Sequence, residues 1–215
     1  MLMENDSRPG FRDQIVLAAV ALVMEIGEDG LTMRALASRL KVSPAALYQC
    51  YESKGEILRD IRFYGASRLW QAFEEHLGVT DAYQRIKHFF ATYFEFSRNN
   101  AWLYSLMMRA DPEQWQHLDP TVPMRAQRPL RACEEAIAQL VDAGRMPAGV
   151  DPRRAAVQIW AAVHGMCSLL LPGATLDRNP FLPIADLESF VDQFVDAILC
   201  GIAGGAVQPA AQCNA

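Results

Sequence analysis

Between Leu31 and Tyr51 the chain carries Arg34, Arg39 and Lys41 and no acidic residue, while acids flank the stretch on both sides. In a chain of net charge −5, such a window suits a polyanion that is touched at one small place. Other residues nearby have chemistry suited to the same partner. Thr32 and Lys54 stand at predicted helix starts, where free N–H groups and the helix dipole favour an anion. Gln49 can pair with adenine N6 and N7, and the small Ala45 permits close approach or contact with a thymine methyl. The implied chemistry is recognition of a nucleic acid.

Residues with that task must be held by helices. Ile15, Ala18, Ala19, Leu22 and Ile26 recur at helical spacing and predict an amphipathic helix, punctuated by Gly27 and Gly30. Thr32 can cap a second helix, with Met33, Leu36, Ala37 and Leu40 inward and Arg34, Ser38 and Arg39 off that stripe. Lys41-Val42 makes a turn, Ser43 caps again, and Pro44 takes the first helical position, where its missing N–H is harmless. From there to Ser53 only about two turns fit, too few to be stable alone. Leu47 and Tyr51, four apart, anchor this short helix and leave Ala45, Tyr48 and Gln49 facing outward. Ser53-Lys54-Gly55-Glu56 is a capping-box pattern opening a fourth helix. That helix is predicted to reach about Leu77, with Ile61, Leu69 and Phe73 inward. Two helices joined by a tight turn form a helix-turn-helix. Its second helix can be short because only its N-terminal turn or two reaches base edges in the major groove.

The runs Gly30-Leu31-Thr32-Met33-Arg34-Ala35-Leu36-Ala37, Val42-Ser43-Pro44-Ala45-Ala46-Leu47-Tyr48 and Tyr51-Glu52-Ser53-Lys54 resemble the DNA-binding domain of the tetracycline-repressor (TetR) family of bacterial regulators. The resemblance covers roughly residues 11 to 60. It departs at Tyr51, where phenylalanine is commoner, and at Cys50, where histidine or tyrosine is usual. It implies that Thr32, Tyr48 and Lys54 bind phosphates and that Arg34, Ser43, Pro44, Ala45 and Gln49 lie nearest the groove. In the second half, Trp160-Ala161-Ala162-Val163-His164-Gly165 resembles the Trp-His-Gly (WHG) signature of one TetR subgroup.

Length and composition fit a soluble regulator of that kind. Half of the 215 residues are hydrophobic and about a fifth are charged, the balance of a globular protein with a real core. Met1 to Asp13 is polar, without an apolar signal stretch, and no run approaches the ~18 apolar residues of a membrane span. A cytoplasmic location without membrane attachment is expected. The five cysteines, Cys50, Cys133, Cys167, Cys200 and Cys213, are scattered singly. Neither a disulfide framework nor a zinc site follows from such spacing. The four histidines, His76, His88, His117 and His164, are widely separated, and no triad, paired-acid site, phosphate loop or metal cluster emerges. No enzyme activity, metal or cofactor is expected.

The remainder reads as helix, so the fold class is all-α, with about nine helices. Residues 1–52 form the expected helix-turn-helix domain, 53–203 a helical effector-binding and dimerisation domain, and 204–215 a disordered tail. An aromatic-rich helix follows Gly78-Val79-Thr80 and breaks at Asn99-Asn100, and a shorter one spans Trp102 to Arg109. Asp111 to Pro129, with four prolines, reads as a loop. Later helices are predicted at about Leu130–Ala143, Arg153–Leu171 and Ile184–Ile202. TetR relatives usually carry a small-molecule pocket in this half. The resemblance therefore points to Trp70, Phe73, Phe90, Tyr93, Phe94, Met107, Trp115 and His164 as effector-binding residues, in an apolar cavity of the usual ligand-site character. The last two helices are apolar on more than one face. Val157, Trp160, Ala161, His164 and Ser168 make one stripe of the first, and Ile159, Val163, Met166 and Leu170 another. The second of these stripes, with Phe190, Phe194 and Ile198, is expected to face a partner chain in a two-fold homodimer.

Two classes of function follow. The first is a transcriptional regulator, a repressor released from operator DNA by a small apolar or aromatic ligand. The alternative is an all-α small-molecule binder or enzyme with a vestigial helix-turn-helix.

Overall fold

A computed structural model of the chain describes residues 10–109, 127–171, 184 and 186–204. Among them nine helices and no strand occur: α1 (Phe11–Gly30), α2 (Met33–Leu40), α3 (Pro44–Tyr48), α4 (Lys54–Glu74), α5 (Ala82–Asn99), α6 (Ala101–Met108), α7 (Arg128–Asp142), α8 (Pro152–Leu170) and α9 (Leu187–Ile202). The fold is all-α, as expected. Trp115, His117, most of the proline-rich segment, the linker 172–183, and Cys213 with the tail from 205 lie outside the described residues. The chain divides into two compact units, residues 1–65 and 66–215.

In the first unit the helix boundaries follow their capping residues. Gly27 takes φ +77, a conformation that L side chains avoid, so α1 breaks there and adds one further turn to Gly30. Thr32 Oγ1 accepts the Ala35 N–H at 3.1 Å and starts α2. Lys41, left-handed at φ 57, ends it, and the Val42 N–H reaches back to the Ala37 carbonyl. Ser43 Oγ takes the Ala46 N–H at 3.2 Å to open α3. The capping box at α4 is shifted by one residue. Ser53 Oγ accepts from the Glu56 N–H, while Glu56 Oε2 accepts from Glu52 rather than from Ser53. The buried face of α1 is Ile15, Val16, Ala19, Leu22 and Val23. Ile26, predicted inward, is exposed, because the chain turns away at Gly27.

The second unit is built on α5, which packs against α6, α7, α8 and α9. Three aspartates cap its helices. Asp81 accepts from Gln84, Asp151 from Arg154 and Asp186 from Ser189, each at 3.0–3.1 Å. Asp151-Pro152 is the start signal that sets α8 a residue earlier than predicted, and Asp186 sets α9 three residues later. Pro129, read as loop, sits in the first turn of α7, where proline is tolerated. Helix α4 ends at Glu74, short of Leu77, in a run of turns.

The interior of this unit decides which side of α8 faces inward. Ile159, Val163 and Cys167 have no exposed surface, and Met166 and Leu170 are nearly as enclosed, packed with α5, α7 and α9. Of the residues expected at a subunit contact, Ile159 and Val163 are core residues consumed by the chain's own packing, whereas Met166 and Leu170 keep an edge on a surface groove beside α9. The opposite face, with Val157, Trp160 and Leu169, is the exposed one. Phe190, Phe194 and Ile198 are partly buried at the edge of the core on α9.

Candidate functional site

The first candidate site is the surface around α3. That helix has five residues, and it is held by the side chains on one face only. Leu47 and Tyr51 are 0% and 1% exposed, whereas Ala45, Tyr48 and Gln49 all lie on the solvent side, Tyr48 at 54%. Each fully buried large side chain contributes about 1.5–3 kcal/mol, which compensates for a helix too short to stand alone.

Polar clamps fix the surrounding helices. Tyr51 donates its hydroxyl to Asp60 Oδ2 at 2.7 Å, Arg12 reaches the same oxygen at 3.0 Å, and the Arg12 guanidinium lies 4.3 Å over the Tyr51 ring. Burial, reinforced by the neighbouring Asp60 carboxylate, pushes the Tyr51 phenol above its ordinary pKa, so it remains a donor. Phenylalanine could not make this bond, so the departure from the commoner residue has a structural use. Arg39 forms a fork with Glu25 at 2.6 and 2.8 Å, which spends its charge on joining α2 to α1.

The predicted contact residues divide by their partners. Thr32, Arg34, Ser43, Pro44, Ala45, Tyr48 and Gln49 are exposed around α2 and α3. Lys54 is less free than its sequence position suggests. Its ammonium donates to the Glu28 carbonyl at 2.9 Å, closing the end of α1. Two ammonium hydrogens remain for an anion.

The second candidate site is an apolar cavity of about 210 Å³ in the second unit. Phe73, Phe90, Tyr93 and Met107, all predicted for a pocket, line it. So do Phe89, Met108, Leu130, Cys133, Ala156 and Trp160, which the sequence reading did not assign to it. Phe89 stacks on Phe73 at 5.0 Å between centroids. Three predicted residues do not line it. Trp70 donates to Glu74 and lies under the Arg128 guanidinium. Phe94 faces a separate groove beside α9. His164 stands behind the wall, where its Nδ1 meets Tyr104 Oη at 2.5 Å and Tyr93 Oη at 3.3 Å. Burial lowers the His164 pKa, so the ring is neutral near pH 7. Tyr93, pushed up to about 12 by burial, is likewise uncharged. Trp115 lies outside the described residues.

A third feature is a groove along α8 and α9, lined by Ala161, Ala162, Gly165, Leu169, Ile184, Phe190 and Phe194 with the edges of Met166 and Leu170. Phe190 and Phe194 stack at 6.0 Å.

Two family models match the chain. "Bacterial regulatory proteins, tetR family" covers residues 15–61, and "Tetracyclin repressor-like, C-terminal domain" covers residues 86–198, more than half of the sequence. No curated protein matches. Solved structures share the fold. A protein with unknown function from Rhodococcus sp. RHA1 superposes at a TM-score of 0.69, with 23% identity, over 96% of this chain and 100% of that one. A TetR/AcrR-family regulator from Thermobifida fusca YX-ER1 gives 0.68, with 19% identity, over 88% and 97%. AibR, solved with isovaleryl coenzyme A and operator DNA, gives 0.59, with 17% identity, over 91% and 98%.

Proposed function

From a chain that belongs to the TetR family of DNA-binding transcriptional regulators, we propose a repressor that a small apolar ligand releases from its operator. The observation that carries this reading is the division of labour between the two units. One presents a five-residue helix with Ala45, Tyr48 and Gln49 on its solvent side, and the other holds an apolar cavity. Helix α4 is continuous from Lys54 to Glu74 and so contributes residues to both.

In this reading Thr32, Tyr48 and Lys54 contact phosphates, Gln49 and Ala45 meet base edges, and Arg34, Ser43 and Pro44 border the groove. The exposure of α3 and the two N-caps at Thr32 and Ser43 support these roles. A vestigial helix-turn-helix is not favoured, since the family models cover both parts of the chain. The sequence Trp160 to Gly165 supports a closer likeness to the Trp-His-Gly subgroup. A bacterial cytoplasmic location follows from a DNA target.

The groove between α8 and α9 supports a two-fold homodimer. Gly165 lies exposed in mid-helix, where glycine costs about 1 kcal/mol against alanine. A Cβ there would meet nothing within 4 Å inside the chain, so no internal packing calls for a glycine. Close approach of a partner helix does. Two half-sites about 34–36 Å apart, or multiples of that, would then be read together.

A linkage experiment tests the proposal. A ligand that weakens operator binding must itself be bound more weakly by the protein–operator complex, by the same factor. Ligand affinity that is identical with and without operator would contradict ligand-induced release.

A further inference from the structure

The acid-free window from Leu31 to Tyr51 holds three cations, and the structure leaves them unequal freedom. Arg39 is committed. Both of its terminal nitrogens bond Glu25, at 2.6 and 2.8 Å, so the pair offers no net charge to a polyanion. Arg34 is exposed and borders the groove in the reading above. Lys41 is exposed as well, and among the described residues its ammonium has neither an ion pair nor a hydrogen bond.

The backbone at Lys41 is unusual too. It stands at φ 57 and ψ 38, and among the described residues no other non-glycine has a positive φ. Its N–H and that of Val42 turn back to the Ser38 and Ala37 carbonyls and close α2. Glycine fits such a left-handed helix end best, because a Cβ there crowds the neighbouring carbonyl. The turn itself therefore gives no reason for a lysine.

Its place in the motif gives one. In a helix-turn-helix the first helix crosses the phosphate backbone, and the N-terminal residues of the second reach base edges. The connecting turn passes from one to the other along the wall of the groove. Lys41 lies in that turn, two residues before the Ser43 cap and four before Ala45. On its flexible four-carbon stem, a point charge can meet a phosphate without a fixed geometry.

We propose that Lys41 is a further DNA contact, neutralising a phosphate at the wall of the groove, and that Arg39 makes no such contact. This rests on the DNA-binding reading above and is independent of ligand release. A phosphate contact carries no sequence information, so Lys41 acts alike on every duplex.

Fluorescence anisotropy on the full-length protein tests it, with one duplex from upstream of its own gene and one of random sequence. Lys41→Gly should lower the slope of log affinity against log salt by about 1 on both duplexes. The parent's advantage over this variant should then shrink about 3.5-fold between about 50 and about 200 mM salt. Lys41→Arg should keep the parent's slope. Glu25→Gln combined with Arg39→Gln removes a pair without net charge and should also leave the slope alone. The rival role for Lys41 is a cation that only offsets the dipole at the end of α2. That role predicts a lower urea midpoint in Lys41→Gly and an unchanged slope. An unchanged slope in Lys41→Gly, or a slope lowered as much by the double variant, would overturn the assignment while DNA binding itself stood. A parent that binds neither duplex would overturn the DNA-binding reading along with it.

Discussion

The Tyr51 hydroxyl donates to Asp60 Oδ2 at 2.7 Å, and that bond ties the chain just after the recognition helix to the helix that carries Asp60. Arg12 shares the same carboxylate oxygen, so three segments meet on one atom. Tyr51→Phe keeps the ring and removes the bond. It should lower stability by about 1–2 kcal/mol in urea unfolding, since the lost bond is to a charged acceptor. Operator affinity should fall with it, because α3 is held at that end by Tyr51. Unchanged unfolding would show that Arg12 alone suffices for Asp60.

Lys54 has two possible duties, and one variant separates them. Lys54→Ala removes the bond to the Glu28 carbonyl and should cost about 1 kcal/mol of stability. If the ammonium also meets a phosphate, the same variant lowers the salt slope of DNA binding by about 1, alike for all sequences. A slope equal to the parent's, with the stability loss intact, would leave Lys54 a helix-end tie only. Gln49→Ala, with no internal side-chain duty, should instead relax discrimination at one base pair per half-site. A preference profile matching the parent's would remove Gln49 from the readers.

The dimer is tested best on residues that the single chain does not bury. Leu169 is 48% exposed on the outer face of α8, so Leu169→Glu should leave helical circular dichroism intact while producing a monomer by light scattering. Gly165→Ala gives a sharper sign. In a monomer it would stabilise the helix by about 1 kcal/mol, whereas at a close helix contact it should weaken the dimer. Stabilisation with no change in dimer dissociation would remove Gly165 from the interface.

How far all this was legible from sequence depends on the range of the forces. Caps at Thr32, Ser43 and Ser53 are local, and they fixed the short helix, its buried Leu47 and Tyr51, and its exposed Ala45, Tyr48 and Gln49. Helix α8 is different. Both of its stripes are apolar, and only packing against α5, α7 and α9 decides that Ile159 and Val163 go inward. The cavity shows the same limit. Phe90 and Phe94 are one turn apart on α5, yet only Phe90 lines it, because Phe94 faces the groove beside α9. The overlooked Asp151-Pro152 start of α8 was a local signal and could have been read.

His164 predicts a pH effect of definite sign. Burial holds its folded-state pKa below the unfolded value near 6.5. As pH falls through that value, the unfolded chain takes up a proton before the folded chain does, and stability is lost until the folded-state pKa is passed. His164→Gln should flatten this part of the stability profile. The Asp81 carboxyl is raised by burial but held lower overall by the Gln84 N–H and Arg145, and it titrates in a separate, more acidic range. An identical slope below pH 6.5 in the variant would show that another group is responsible.

The central claim is that the exposed face of α3 reads DNA, and a footprint of the full-length protein on the DNA upstream of its own gene, repeated from 50 to 200 mM salt, tests it most directly. The account predicts two protected half-sites one helical turn or a multiple of it apart. Affinity should fall linearly on a log–log plot against salt, as release of counterions from several phosphates requires. Protection that is absent at low salt, or affinity that does not change across that range, would contradict it.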